Sequence, residues 1–306
     1  MIKKILLGLT LCASLEGYSQ SIDPKQLLTD IEVLSSDVYE GRKTGTKENQ
    51  MAADYIIKRF EKLNLRAFQK GYKHPFAYTT RSGQQGTAIN VLGYIKGKSK
   101  EVVVISAHYD HVGINKGLIY NGADDNASGV GALLAFAEYF SKNRPEKTII
   151  FAAFDAEESG LQGAKAFVAN PPVKLGKIRL NVNMDMISHN DKGELYVAGA
   201  FSYPQLKPFL VTTNPKLKVL QGHDDPKLGS DDWTNQSDHG AFHARKIPFL
   251  YFGVEDHKDY HKATDEYRNI NKQFYIDATQ AILEIINNYD KNITIQKQFR
   301  ERQIMN

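Results

Sequence analysis

Between Thr148 and Phe154 the chain reads Thr-Ile-Ile-Phe-Ala-Ala-Phe, a run without a polar face, and then passes at once into Asp155-Ala-Glu-Glu-Ser. Such a run predicts a strand covered on both faces, as in a parallel sheet flanked by helices. Val102–Ala107 has the same character and also ends in charge, at His108-Tyr-Asp-His. Further strands are expected over Thr87–Ile95, Ile178–Asn183, Leu195–Ala198 and Ile247–Gly253. Helical periodicity marks Gln26–Asp37, Glu48–Leu63, Ser128–Tyr139, Gly160–Val168 and Asn271–Tyr289. Strands and helices in alternation predict an α/β chain with a mixed, largely parallel central sheet sandwiched by helices.

Residues 1–20 differ from the rest. Lys3 and Lys4 precede an apolar run from Ile5 to Leu15 and a small, polar end at Gly17–Gln20, the pattern of a secretory signal. Bulky Leu11 before Cys12 argues against a lipid-modified cysteine. The expected organisation is a signal peptide at 1–20, one domain at 21–290 and a polar, basic tail at 291–306. Export is therefore expected, to the periplasm or beyond, with no later apolar run long enough to span a bilayer. Cys12 is the only cysteine, so a processed chain would rest on its core rather than on disulfides. Removing Lys3, Lys4 and Glu16 takes the formal charge from +4 to +3, too little to argue for a nucleic acid or an anionic membrane as partner.

The chemistry sits at the ends of the predicted strands, where open α/β sheets gather functional groups. Five clusters supply carboxylates and imidazoles: 107–111, 122–129, 155–159, 183–186 and 259–267. A lone His or Asp at a strand end is ordinarily a solvated end or a helix cap, but five such clusters name divalent-metal chemistry. The spacing of His108 and Asp110 lets Asp110 accept the spare imidazole N–H and orient His108. One of the adjacent Glu157 and Glu158 can bind metal while the other acts as general base on water.

The order and spacing of these motifs resemble the M28 family of zinc peptidases, co-catalytic di-zinc aminopeptidases with a zinc-exopeptidase-like fold. The likeness runs from about Asp30 to Asn271 and includes the lead-in from Tyr39 to Thr46. It implies two Zn2+, one held by His108 and Asp185, the other by Glu158 and His261, with Asp125 bridging them. It further implies a cis peptide bond after Asp125 and Glu157 as general base. Tyr260 falls where some members place an oxyanion-stabilising tyrosine. The implied activity is removal of N-terminal residues from peptide substrates. Two other readings share the fold: a single-zinc glutaminyl cyclase, whose loop is shorter than Asp125-Asn-Ala-Ser-Gly, and a non-catalytic binding protein that has lost ligands.

The remaining histidines lack that context. His111 would point away from His108 if the strand continued, and is expected to be structural or to line the cleft. His257 is expected to be exposed, despite standing four residues before His261. Asp238-His239 is expected to shape the cleft, and Trp233 to be either a buried anchor or a wall of the specificity pocket.

Overall fold

The computed structural model describes residues 21–69, 71–80 and 82–292. The expected signal segment at 1–20 and all but two residues of the expected tail lie outside the described residues. Among the described residues there are six α-helices: α1 (Pro24–Leu34), α2 (Lys47–Lys62), α3 (Gly129–Lys142), α4 (Gln162–Ala169), α5 (His239–His243) and α6 (Lys272–Asp290). The strands are β1 (Lys73–Thr79), β2 (Gln85–Ile95), β3 (Val102–His108), β4 (Gly113–Asn115), β5 (Leu118–Tyr120), β6 (Thr148–Phe154), β7 (Ile178–Met184), β8 (Glu194–Ala198), β9 (Lys218–Gln221) and β10 (Phe249–Gly253). Helix starts follow side-chain chemistry. Asp23 accepts from Lys25 N ahead of α1, Thr46 from Asn49 N ahead of α2, and Asn271 from Phe274 N ahead of α6. Each satisfies an N–H that the first helical turn leaves without a partner.

Eight strands form one sheet in the order β1-β2-β6-β3-β7-β10-β8-β9, and β4 pairs with β5 alone. The four central strands, β6-β3-β7-β10, are mutually parallel. β1, β2 and β8 join antiparallel, and β9 runs parallel to β8. The chain is thus a mixed α/β fold with a mostly parallel sheet between helices. Alternation along the central strands accounts for this. Val103, Ile105, Ile149, Phe151 and Ala153 face the layer of α1, α2, α3 and α6. Val102, Val104, Ile150, Ala152 and Phe154 face α4 and α5. Both faces are covered, which is why β3 and β6 carry no polar side.

Parallel strands bring their carboxyl ends to one edge. His108 closes β3, Asp155 follows β6, Asp185 follows β7, and Val254 opens the long loop after β10. β1 was not anticipated. It is an edge strand carrying Pro75, with alternate residues exposed, and so lacks the apolar run that marks the centre.

Two tests follow. Phe151 is fully buried and its ring lies 6.4 Å from that of Phe60 across the α2 face. Phe151→Ala should cost about 3–5 kcal/mol, read as a lowered midpoint in chemical denaturation; a shift below about 1 kcal/mol would contradict its place in the core. His239 is buried at the start of α5, with Nε2 2.8 Å from Trp233 O. Burial pushes its imidazole down to about 3. A histidine kept neutral by the fold contributes stability that is complete above its unfolded pKa of about 6.5 and lost as pH falls toward the folded value. Between about pH 7 and about pH 4 the thermal midpoint should fall less steeply in His239→Gln than in the wild type, and parallel curves would refute this.

Candidate metal centre

The ends of β3, β6 and β7, the turn ahead of α3 and the loop after β10 meet at one place. His108 Nε2 lies 3.2 Å from Asp185 Oδ1 and 3.3 Å from Asp125 Oδ1. His261 Nε2 lies 3.0 Å from Asp125 Oδ2 and 3.8 Å from Glu158 Oε1. The two oxygens of Asp125 therefore face two different groups of donors. Glu157 borders the same cavity of ≈ 270 Å³, with Tyr260, Met186, Leu161, Tyr251 and Val254 among the lining side chains. Seven residues expected at the site from the sequence, His108, Asp125, Glu157, Glu158, Asp185, Tyr260 and His261, line this cavity, and the eighth, Asp110, lies against His108.

The bridging position of Asp125 is built by its neighbours. Gly122, at φ +55, turns the chain into the irregular turn Ala123–Ser128, and the Asp125–Asn126 peptide is cis. The Asp265 carboxylate accepts from Asp124 N at 2.8 Å and Asp125 N at 3.0 Å. Asn126 Nδ2 donates to Met184 O at 2.9 Å, which ties the turn to the end of β7. Arg42, only 1% exposed, donates to Tyr109 O, Leu34 O, Asn121 O and Gly122 O at 2.6–2.9 Å. It pins the turn after β3 to the turn before α3.

The part of Asp110 differs from the expectation. His108 Nδ1 lies 3.1 Å from the backbone oxygen of Asp110 and 3.7 Å from its carboxylate. The carboxylate instead accepts from Glu157 N at 3.0 Å and Glu158 N at 3.3 Å, and from Thr44 Oγ1 at 3.1 Å. It therefore orients the glutamate pair, and the carbonyl orients His108. Of two further histidines, His111 is buried beside the donor groups and His257 departs from expectation. β3 stops at His108, so His111 is not on the opposite face of a strand. Its Nδ1 lies 3.0 Å from Glu158 Oε1 and 3.7 Å from Asp125 Oδ2. His257 is not exposed: its side chain is 10% accessible and Nε2 lies 2.9 Å from Asp124 Oδ2. Sequence spacing hides both contacts because they depend on the fold of the loop after β10 and on where β3 ends. Trp233 is both buried and cavity-lining, stacked on His223 at 3.7 Å.

Burial and crowding set the electrostatics. Burial pushes Glu157 well above the usual carboxylate range, and Asp185, Asp238 and Asp110 add to it against the opposing pull of His108. Burial and Asp155 raise Asp110 to about 7. Burial likewise raises Asp238 to about 8, with Asp110 and Asp185 contributing. Asp125 is the exception. Burial would raise it, but His111, His108 and His261 together hold it well below the usual range.

Donor chemistry and spacing fit divalent cations. His108, Asp125 and Asp185 form one group, and His111, Asp125 and Glu158 a second, sharing Asp125. Bonds of about 2.0–2.2 Å from zinc to imidazole nitrogen and carboxylate oxygen put tetrahedral donors about 3.3 Å apart. The 3.0–3.8 Å separations here are of that size.

The model of peptidase family M28 matches residues 90–286. Aminopeptidase YwaD of Bacillus subtilis is 28% identical over 242 residues, covering 74% of this chain and 50% of that protein. The chain spans half to two thirds of the length of the curated relatives it matches most extensively. A Zn-dependent exopeptidase from Parabacteroides distasonis superposes with a TM-score of 0.70 at 19% identity, over 88% of this chain and 99% of that one. A glutaminyl cyclase from Bacteroides thetaiotaomicron, bound to N-acetylhistamine, gives 0.67 at 20% identity, over 88% and 98%. These two likenesses concern the fold. Since the family model spans well over half of the residues, the chain belongs to peptidase family M28.

Proposed function

We propose that this chain is a di-zinc aminopeptidase that releases N-terminal residues from peptides. The observation that carries the proposal is Asp125, whose two carboxylate oxygens face separate donor groups while Glu157 stands beside them with its carboxyl group raised. In this reading His108 and Asp185 hold one Zn2+, Glu158 and His261 the other, and Asp125 joins both. Zinc bound there would supply Lewis acidity to the scissile carbonyl and lower the pKa of water toward 7. Glu157, turned into the cavity from the turn that Asp110 clamps, takes the proton from the attacking water and returns it to the leaving amine. Tyr260 lines the cavity beside His261, with ring centroids 4.0 Å apart. Burial and Asp125 keep its phenol protonated, so it can donate to oxygen as negative charge develops there.

A small cavity lined by several carboxylates favours exopeptidase use. Asp256 and Glu157 border the space where a free α-amino group would sit, and Met186, Trp233 and Val254 offer an apolar wall. The basic start and apolar run of residues 1–20 support export of the enzyme. No described helix is long and apolar enough to cross a membrane.

Glu157→Gln should retain both ions by elemental analysis yet lose about 10²–10⁴-fold in turnover of an aminoacyl-amide; near wild-type turnover would sink the general-base assignment. Zinc-loaded enzyme should cleave free-amino peptides and spare their N-acetylated counterparts. Cleavage of the acetylated peptides alone would overturn the exopeptidase reading. A single bound ion with cyclisation of N-terminal glutamine would instead identify a glutaminyl cyclase.

A further inference from the structure

His111 has no part in the reading above, yet it is the imidazole that the second donor group contains. It is only 1% exposed. Its Nδ1 faces Glu158 Oε1 at 3.0 Å and Asp125 Oδ2 at 3.7 Å, the same two oxygens that His261 Nε2 faces at 3.8 and 3.0 Å. Neither ring nitrogen, the Nδ1 that faces these oxygens included, completes a hydrogen bond among the described residues. A buried imidazole held only to fill space would be costly in this form, since burying a polar atom without a partner is unfavourable. The position is also built. A Cβ on Gly122 would run into the His111 ring, so glycine there makes room for it beside the bridging turn. The two rings approach from different directions, with centroids 6.2 Å apart and planes 51° apart.

We infer that His111 is a further protein ligand of the ion held by Asp125 and Glu158, beside His261. The inference rests on the di-metal reading and adds a donor that the family resemblance does not assign. It makes the two ions unequal. Asp125, Glu158, His261 and His111 form the closed four-donor set typical of structural zinc, whereas His108, Asp125 and Asp185 leave one position open for water or substrate. His261 is nearly half exposed, at 46% of its side chain, so a buried second imidazole would anchor the ion from beneath.

The test is metal binding rather than turnover. Metal-free full-length protein is titrated with Zn2+ by calorimetry, with folding of each variant checked by circular dichroism. Wild type should take up two ions. His111→Asn keeps a donor to Glu158 but no imidazole; it should retain one ion and bind the other at least about a hundredfold more weakly, beyond the ten- to hundredfold effect of an outer-shell partner. His111→Asp, which restores an anionic donor, should recover much of that loss. Two ions bound by His111→Asn with wild-type affinity would overturn the inference and leave the di-metal reading standing. A wild type that binds fewer than two ions would defeat that reading itself, and the inference with it. Should the variants not fold, the crystal structure of the zinc-loaded wild type decides. Nδ1 of His111 within about 2.0–2.2 Å of the ion supports ligation. A distance typical of a mere neighbour refutes it.

Discussion

Everything at the candidate centre depends on where the Asp125 carboxylate is held, and two buried residues outside the cavity lining hold it. Arg42 spends its guanidinium on four backbone carbonyls. Those carbonyls come from the end of α1, the turn after β3 and the turn before α3, so three segments close around one cation. Burial lowers Arg42 to about 10, with Asp125 and Asp265 among the charges that oppose the fall, and it stays protonated at neutral pH. Asp265 works from the other side by accepting two consecutive backbone N–H groups, those of Asp124 and Asp125. A carboxylate set between two donor groups has to be fixed at the backbone, because a side chain free to rotate would favour one of them.

The same arrangement explains why the site calls for positive charge. Burial raises Asp110 to about 7, Asp265 to about 6 and Asp238 to about 8, and other carboxylates contribute to each shift. Neither Asp238 oxygen has a hydrogen-bond partner among the described residues. The fold thus gathers more acid than its imidazoles neutralise, most of it on buried side chains. Natural cores seldom accept this unless a cation completes the balance. Asp125 is held low because three imidazoles face it, and it is the one carboxylate shared by both donor groups.

Most of the architecture was legible because the central strands have no polar face. β6 falls at its expected limits, and β3, β7 and β10 lie within two residues of theirs. The acids and histidines that follow them could be read for the same reason, since a parallel sheet carries all its strand ends to one edge. What escaped depends on loops. β1 hides behind an alternating, half-exposed pattern, and β9 behind its short length. Arg42 sits within the lead-in from Tyr39 to Thr46, where left-handed Glu40 and Gly41 turn it inward, a conformation no spacing announces. His257 is buried rather than exposed because the loop after β10 has no period from which its side could be read, and the contacts of His111 with Glu158 and Asp125 depend on β3 ending at His108. Asp110 was placed correctly next to His108, but the division of labour between its carbonyl and carboxylate cannot be read from an HxD spacing.

That loop after β10 is the part of the site whose placement is least local. It carries Tyr260 and His261, with His261 at φ +52, and it lacks regular structure until the short turn at Tyr267–Asn269. Two ties bind it to the centre: His257 meets Asp124, and Asp265 holds the backbone of Asp124 and Asp125; Thr264 Oγ1 donates to Asp259 within the loop itself. Stacking of His189 on His257 at 3.9 Å adds a contact from the segment after β7. Both ties end on Asp125 itself or on the residue before it. A displacement of the loop therefore moves Asp125 as well as His261, and the two donor groups cannot be altered independently. Coupling of this kind suits a site that needs both groups in register at once, and it makes the Asp124–His257 and Asp265 contacts as much a part of the centre as the side chains that face the cavity.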